Sequence, residues 1–202
     1  MDLDTQRALL DRVMAHRAAG DGTDLAPDLY RNPVDTYIDP ARYAVELERL
    51  YQGCPVLACL SCDVRDPGDY VTLTIADVPV LVARGQDGVV RGFRNVCRHR
   101  GASLLPVGAG ACSTIRCPYH HWVFDDHGSL VAAPHFGDDP TFRVDDWPLE
   151  PVHVDQWRGL TFVSIDPVES LTDQLGGLPD ELADEPIESY TATDSEIGRA
   201  HV

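Results

Sequence analysis

Two short stretches, CRHRG at residues 97–101 and CPYH at residues 117–120, carry the chemistry of this 202-residue chain and decide its fold. Each stretch holds one cysteine and one histidine, spaced C-x-H in the first and C-x2-H in the second. Seventeen residues separate His99 from Cys117. Each stretch follows a predicted strand and therefore lies on a loop at a strand end. Two such loops on one β scaffold can approach each other and present four ligands.

The mixture of thiols and imidazoles indicates an asymmetric iron–sulfur cluster. Thiolates are charged donors that hold ferric iron, and neutral imidazoles in place of two of them lower the negative charge of the site. This exchange raises the reduction potential to about −150 to +300 mV, against about −400 mV for all-cysteine plant-type ferredoxins. We predict a [2Fe–2S] cluster with Cys97 and Cys117 on one iron and His99 and His120 on the other. Backbone N–H groups of the loops would donate to the sulfurs and tune the potential.

A structural zinc site and a second iron–sulfur site are the alternatives. Structural Cys2His2 zinc sites usually carry two cysteines in one arm and two histidines in the other, so the mixed arms disfavour zinc. Cys54, Cys59 and Cys62 match the C-x4-C-x2-C spacing of a plant-type ferredoxin loop. The residues between them are mostly apolar, which favours a buried strand whose cysteines pack in the core. An iron content well above two per chain would contradict this interpretation.

The two stretches resemble the signature of Rieske non-haem iron oxygenases, the ring-hydroxylating dioxygenases and their relatives, in the Rieske domain of the large (α) subunit. The similarity covers about residues 35–180 and implies the four ligands named above. Respiratory-complex Rieske proteins carry an extra, disulfide-bonded cysteine in each loop, where this chain has Ala102 and Tyr119. The family usually has glycine after the second ligand histidine, and here that residue is His121. Glycine often marks a positive φ, so a changed loop shape and competition by His121 stay open; the C-x2-H spacing favours His120.

We expect a mainly antiparallel β fold, a Rieske scaffold of small sheets with the ligand loops at one tip, together with N-terminal helices. Helices are predicted over 5–18, with Thr5 able to cap the start, and after Asp39 as N-cap with Pro40 at the first helical position. Strands are predicted at 70–75, 79–84, 89–95, 122–124, 130–131, 151–154 and 160–165. The predicted domains are a helical extension at 1–55, the Rieske domain at 56–166, a linker or truncated catalytic domain at 167–196, and a tail at 197–202.

The resemblance implies an enzyme component. In this family the cluster accepts electrons from a ferredoxin or a flavin reductase and passes them to a mononuclear non-haem iron in a neighbouring subunit of a homotrimer. Hydroxylation of an aromatic or quaternary-amine substrate by O2 follows there. That iron needs a D-x2-H motif followed by a second histidine, as part of a 2-His-1-carboxylate site, and no histidines after His120 fit. We therefore expect the catalytic domain to be missing from this chain.

The end of the chain suggests a reason for that absence. Residues 197–202 match the translation of a sequencing adapter, so we expect the natural protein to continue beyond Glu196. The alternative function is a free-standing Rieske ferredoxin-like electron carrier. The N-terminal extension of about sixty residues, identified from its helix signals, disfavours that alternative.

The composition argues against several classes of partner. The net charge of -17, from 33 acidic and 16 basic residues, repels phosphate backbones and anionic lipid. We therefore expect no nucleic-acid partner and no membrane association. The acidic start lacks the apolar segment of a secretory signal, and six cysteines in an unexported chain suggest thiols that are kept reduced. The expected location is the cytoplasm.

Overall fold

The computed structural model describes residues 2–20, 28–134 and 139–190. The predicted tail at 197–202 lies outside these ranges, and the predicted domain boundaries stay a prediction. No helix within the ranges combines the length and the apolar character needed to cross a bilayer.

Antiparallel strands form most of the molecule, which confirms the predicted fold class. In chain order, β1 to β10 cover Val56–Leu60, Asp69–Ile75, Val78–Arg84, Val90–Arg94, Gly108–Ala111, Ile115–Arg116, Val123–Phe124, Leu130–Ala132, Pro151–Trp157 and Leu160–Ser164. Seven of them form one sheet in the order β1-β10-β9-β4-β3-β2-β5, and β6, β7 and β8 form a second sheet. Strands β5 and β6 lie between the two ligand stretches; a strand was expected before residue 117, but no bounds were predicted for either.

Two clusters of buried side chains form the core, on opposite faces of β3. Leu81 belongs to the cluster that includes Cys97, Cys117 and Trp122. Its neighbours Val80 and Val82 belong to the second cluster, which is dominated by valines. Successive side chains of a strand point to opposite faces, so β3 supplies both clusters. The first cluster therefore fixes the ligand stretches against the large sheet.

The N-terminal helices differ from the prediction at their ends. Helix α1 (Leu3–Ala19) is capped by Asp2, whose carboxylate accepts from the backbone N–H of Thr5 at 2.9 Å, so the predicted Thr5 cap is wrong. The carboxylate oxygen one turn earlier reaches the exposed amide and stabilises the helix start. No residue of α1 is buried.

A second helical segment leads from this extension into the sheet. Helix α2 (Asp35–Ile38) is short and was not predicted. Helix α3 (Pro40–Glu46) starts at the predicted Asp39 cap and Pro40, and it continues as a π-helix over Leu47–Gln52, which the sequence pattern did not predict.

The C-terminal segment is anchored to the β9–β10 turn. It contains α4 (Leu171–Leu175), α5 (Leu178–Glu181) and a 3-10 turn at Ile187–Ser189. Arg158, in the turn, donates hydrogen bonds to the carbonyl oxygens of Leu182 and Glu185. Its Nε also donates to the Glu188 carboxylate at 3.0 Å. One arginine therefore supplies several of the contacts that hold this segment against the large sheet.

Candidate metal centre

Two loops of the same length carry the predicted ligands. Ligand loop 1 (residues 97–102) follows the end of β4, and ligand loop 2 (residues 117–122) connects β6 to β7. An isolated bridge between Val96 and Ser103 closes the base of loop 1, and the β6–β7 pairing closes the base of loop 2. Both loops therefore start and end on paired backbone, as predicted for strand-end loops.

The backbone hydrogen bonds of the two loops are equivalent. In loop 1 the N–H of Cys97 donates to the carbonyl oxygen of Ala102 at 2.8 Å, and the carbonyl oxygen of Cys97 accepts from Gly101 at 3.0 Å. In loop 2 the N–H of Cys117 donates to the carbonyl oxygen of Trp122 at 2.8 Å, and its carbonyl oxygen accepts from His121 at 3.1 Å. Each loop is thus the same turn, with a cysteine at its first position.

Histidine at position 121, where the family usually has glycine, does not change the shape of ligand loop 2. Gly101 and His121 occupy the same position of the two turns, and their φ angles are +69° and +59°. Both residues therefore adopt the left-handed conformation that glycine favours. The side chain of His121 is exposed, whereas the ring of His120 contacts that of His99. The geometry favours His120 over His121 as the site residue.

The four predicted ligand side chains converge as two pairs. Cys97 and Cys117 are 2% and 1% exposed, and their thiols are in hydrogen-bonding contact. The rings of His99 and His120 meet edge to face, with centroids 4.7 Å apart and an interplanar angle of 65°. A sulfur pair lies in the interior and an imidazole pair lies nearer the surface.

The electrostatic environment of the sulfur pair favours a bound cation. Burial raises the pKa of the Cys97 thiol, and the neighbouring Cys117 thiol adds to this effect. The backbone N–H groups of His99 and Arg100 point at the Cys97 sulfur and oppose the rise. A metal ion replaces the thiol proton when it binds, and donor N–H groups then stabilise the thiolate.

The imidazole pair is also suited to bind a metal. Burial, followed by the charges of His120 and Arg100, lowers the pKa of His99 and so keeps its imidazole neutral. Neutral imidazole is the form that binds metal. The Nδ1 atoms of both rings are buried, and that of His120 has no hydrogen-bond partner among the described residues. A buried polar atom without a partner is costly in a folded protein, and a metal bond at Nδ1 would satisfy it.

The donor set suits two metal ions better than one. Within the described ranges, no group of three or more His, Cys, Asp or Glu side chains is arranged to hold a single metal ion. Two sulfurs and two imidazoles, each as a pair, instead match a binuclear group with one pair on each metal. The residues present therefore fit a [2Fe–2S] cluster with mixed ligands.

Two supporting contacts were not predicted as functional. The indole of Trp122, which the sequence placed only in a predicted strand at 122–124, stacks on His99. The Glu150 carboxylate binds Arg98 of loop 1 and, at 3.2 Å, Arg94 at the end of β4. The spacing of Trp122 two residues after His120 was the only sequence signal for the first contact, and nothing in the sequence signalled the second.

The loops lie in a segment of unusual charge. Residues 88–124 contain five arginines and no Asp or Glu, although the whole chain has 33 acidic residues. Arg100 and Arg116 are exposed. Arg91 pairs with Asp87, and Arg94 and Arg98 pair with Glu150, so carboxylates from outside the segment partly neutralise three of the five charges.

The three cysteines of the C-x4-C-x2-C spacing differ in burial, and the predicted core packing holds only for Cys59. Cys59 is 8% exposed and packs in the valine-rich cluster, as the sequence predicted, while Cys54 and Cys62 are partly exposed. Burial raises the pKa of the Cys59 thiol to about 11. This thiol is therefore a neutral core group.

Comparison with known proteins agrees with this geometry. Residues 54–148 match the family described as Rieske [2Fe–2S] domain. The chain is 33% identical over 192 residues to the glycine betaine monooxygenase oxygenase subunit of Chromohalobacter salexigens, which covers 91% of this chain and 41% of that protein.

Solved structures give the same result. A quaternary ammonium Rieske monooxygenase, studied for carnitine oxidation and inter-subunit electron transfer, has a TM-score of 0.69 and 31% identity over 74% of this chain and 41% of its own. Naphthalene 1,2-dioxygenase from Rhodococcus sp. has a TM-score of 0.69 and 30% identity over 90% of this chain and 40% of its own. The chain spans less than half the length of each of these relatives.

Proposed function

The chain carries a Rieske [2Fe–2S] domain, and from this premise we propose that Cys97, His99, Cys117 and His120 hold the cluster and that the domain transfers electrons within an oxygenase. The observation that carries the proposal is the convergence of a buried sulfur pair and an imidazole pair on two equivalent loops. When bound, a cluster of this type supplies one-electron transfer at a potential of about −150 to +300 mV.

Each part of the chain has a role in this function. The buried thiols bind on the side that is closed to water, and the N–H groups of His99 and Arg100 stabilise the charge on the Cys97 sulfur. The imidazoles lie nearer the surface, so electrons would enter and leave on their side. The ion pairs of Glu150 with Arg98 and Arg94 tie loop 1 to the adjacent sheet.

The complete protein would be the α subunit of a Rieske oxygenase. We infer that it accepts electrons from a ferredoxin or a flavin reductase, assembles as a homotrimer, and passes electrons to a mononuclear iron in a catalytic domain. The similarity covers 91% of this chain in an oxygenase subunit, so it extends well beyond residues 54–148. A free-standing carrier would not need that extension.

The substrate class of the complete protein is a quaternary amine or an aromatic compound. Similarity to the betaine and quaternary ammonium enzymes supports the first, and similarity to naphthalene dioxygenase supports the second. We infer a cytoplasmic location because the six cysteines, all of which lie within the described ranges, form no disulfide with one another, as is usual in reducing compartments.

Metal analysis and electron paramagnetic resonance (EPR) of the reduced chain test the cluster proposal. We expect two irons and two sulfides per chain and the EPR signal of a mixed-ligand [2Fe–2S] cluster. Cys117→Ser should abolish the signal, whereas Cys112→Ser, which alters a half-buried thiol outside both loops, should preserve it. Bound zinc, or a signal that survives Cys117→Ser, would refute the ligand assignment. Genomic sequence downstream of Glu196 tests the oxygenase assignment, since a D-x2-H motif with a second histidine should follow.

A further inference from the structure

One aromatic residue makes the two histidines of the site unequal. The indole of Trp122 lies parallel to the imidazole of His99, with centroids 4.8 Å apart and an interplanar angle of 6°. His120 has a different neighbour, the ring of Tyr119, at 3.8 Å and tilted by 38°. Trp122 is 1% exposed, whereas Tyr119 is 59% exposed. One imidazole therefore rests on a buried ring and the other on a surface ring.

The inequality follows from one position of the two equivalent turns. Trp122 is the last residue of loop 2, and its counterpart in loop 1 is Ala102, because both carbonyl oxygens accept from the N–H of the first cysteine of their loop. The large side chain of loop 2 crosses to loop 1 and stacks on the histidine there. The small side chain of loop 1 makes no comparable ring contact.

The indole is held rigidly by further aromatic contacts. Trp147 meets it edge to face, with centroids 5.7 Å apart and an interplanar angle of 89°. Phe142 meets it at 5.8 Å and 61°. Edge-to-face packing is a favoured geometry for aromatic rings. The plane of the indole is therefore set by the core and not by His99.

We propose that Trp122 is a positioning residue for the cluster: it fixes the plane of the His99 ring and places a π face beside it. This inference rests on the proposed role of His99 as a ligand. A fixed ring plane sets the orientation of the Nδ1 lone pair, and so the overlap with the metal. The electron-rich π face stabilises positive charge nearby, and the bulk of the ring excludes water. Both effects favour the oxidised cluster over the more negative reduced cluster.

The proposal separates Trp122 from a residue that only fills the core. Trp147 provides the comparison, because it belongs to the same aromatic cluster and contacts Trp122, and its recorded ring contacts are with Trp122 and Phe142. Loss of either indole removes similar volume from the same region. Only the loss of Trp122 removes the ring that stacks on His99.

The test compares Trp122→Leu, Trp122→Phe and Trp147→Leu in the full chain with its cluster. We expect Trp122→Leu to raise the reduction potential and to shift the g values of the reduced cluster. Trp122→Phe should lie between wild type and Trp122→Leu, and Trp147→Leu, which removes one support of the indole but leaves it stacked on His99, should shift the g values less than Trp122→Leu. Unchanged values in Trp122→Leu, or equal shifts in Trp147→Leu, would overturn the proposal.

Two further outcomes are informative. If Trp122→Leu does not assemble a cluster, Trp122→Phe is compared with Trp147→Phe; a larger shift in Trp122→Phe supports the proposal, and an equal or smaller shift, or no shift, overturns it. If the wild-type chain shows no cluster signal, the proposed function itself fails, and the two failures are thereby distinguished.

Discussion

Replacing His121 by glycine should stabilise the chain, although glycine normally destabilises ordered backbone. His121 has a φ of +59° in loop 2, at the position where loop 1 has Gly101 at +69°. A side chain in the left-handed region brings Cβ close to the following carbonyl oxygen, at a cost of roughly 1–2 kcal/mol. Glycine avoids that contact, and the exposed imidazole of His121 leaves no gap in the core when it is removed.

The expected gain is smaller than the strain that is relieved. Glycine increases the conformational entropy of the unfolded chain, which offsets roughly 0.4–1 kcal/mol. The net change for His121→Gly is therefore about 0.5–1 kcal/mol in the free energy of unfolding. For a chain of this size, 1 kcal/mol corresponds to about 2–4 °C in the midpoint of thermal unfolding.

The comparison with alanine isolates the backbone effect. His121→Ala removes the imidazole but keeps Cβ, so it should lack the gain that His121→Gly shows. The reciprocal change, Gly101→Ala, should destabilise by about 1 kcal/mol. An added Cβ at Gly101 would meet no heavy atom within 4 Å, so this loss would come from the backbone conformation alone.

Anaerobic urea unfolding of the cluster-loaded variants, followed by tryptophan fluorescence, measures these differences. Equal stabilities of the glycine and alanine variants at position 121 would show that the left-handed conformation carries no cost there. The positive φ that His121 shares with Gly101 would then not affect the free energy of unfolding, even though the two loops have the same backbone hydrogen bonds.

Three further changes test other parts of the molecule. The pKa of the Cys59 thiol is about 11 because of burial, so its alkylation rate in the folded chain should keep rising as the pH passes 9; a plateau near pH 9 would contradict this. Gly92→Ala should cost about 1–3 kcal/mol in denaturant titrations, because the new Cβ would lie 2.6 Å from a methyl group of Val152. Arg158→Ala should accelerate proteolysis within residues 178–190, since the contacts of Arg158 with this segment, including Glu188, are lost; an unchanged cleavage rate would show that other contacts hold the segment.

The ligand loops could be predicted because their chemistry is local. The type and spacing of Cys97, His99, Cys117 and His120 restrict the group that they can bind, whatever the rest of the fold does. Strands such as β2 and β3 were predicted for a similar reason, since both are rich in β-branched residues. These signals need no information about distant parts of the chain.

The features that were missed depend on distant contacts. Strand β5, with the sequence GAGA, has no β propensity of its own and forms because β2 offers an edge, with Gly110 opposite Tyr70. A Cβ at Gly110 would lie 2.7 Å from the hydroxyl oxygen of Tyr70, so a small residue is required there. The stacking of Trp122 on His99 likewise exists only once two separate loops have met.

The segment at residues 88–124, which carries the ligand loops, has five arginines and no Asp or Glu, although Asp87 and Glu150 pair with three of these arginines. Arg100 and Arg116 are exposed within it, while the net charge of the whole chain is -17. A surface that carries fixed negative charge should therefore orient the chain tip first, because the local field of the arginines acts at short range, where the distant carboxylates are screened. On an electrode coated with a carboxylate monolayer, the cluster would then face the electrode surface. Voltammetry could measure its reduction potential by direct electron transfer, without a soluble mediator.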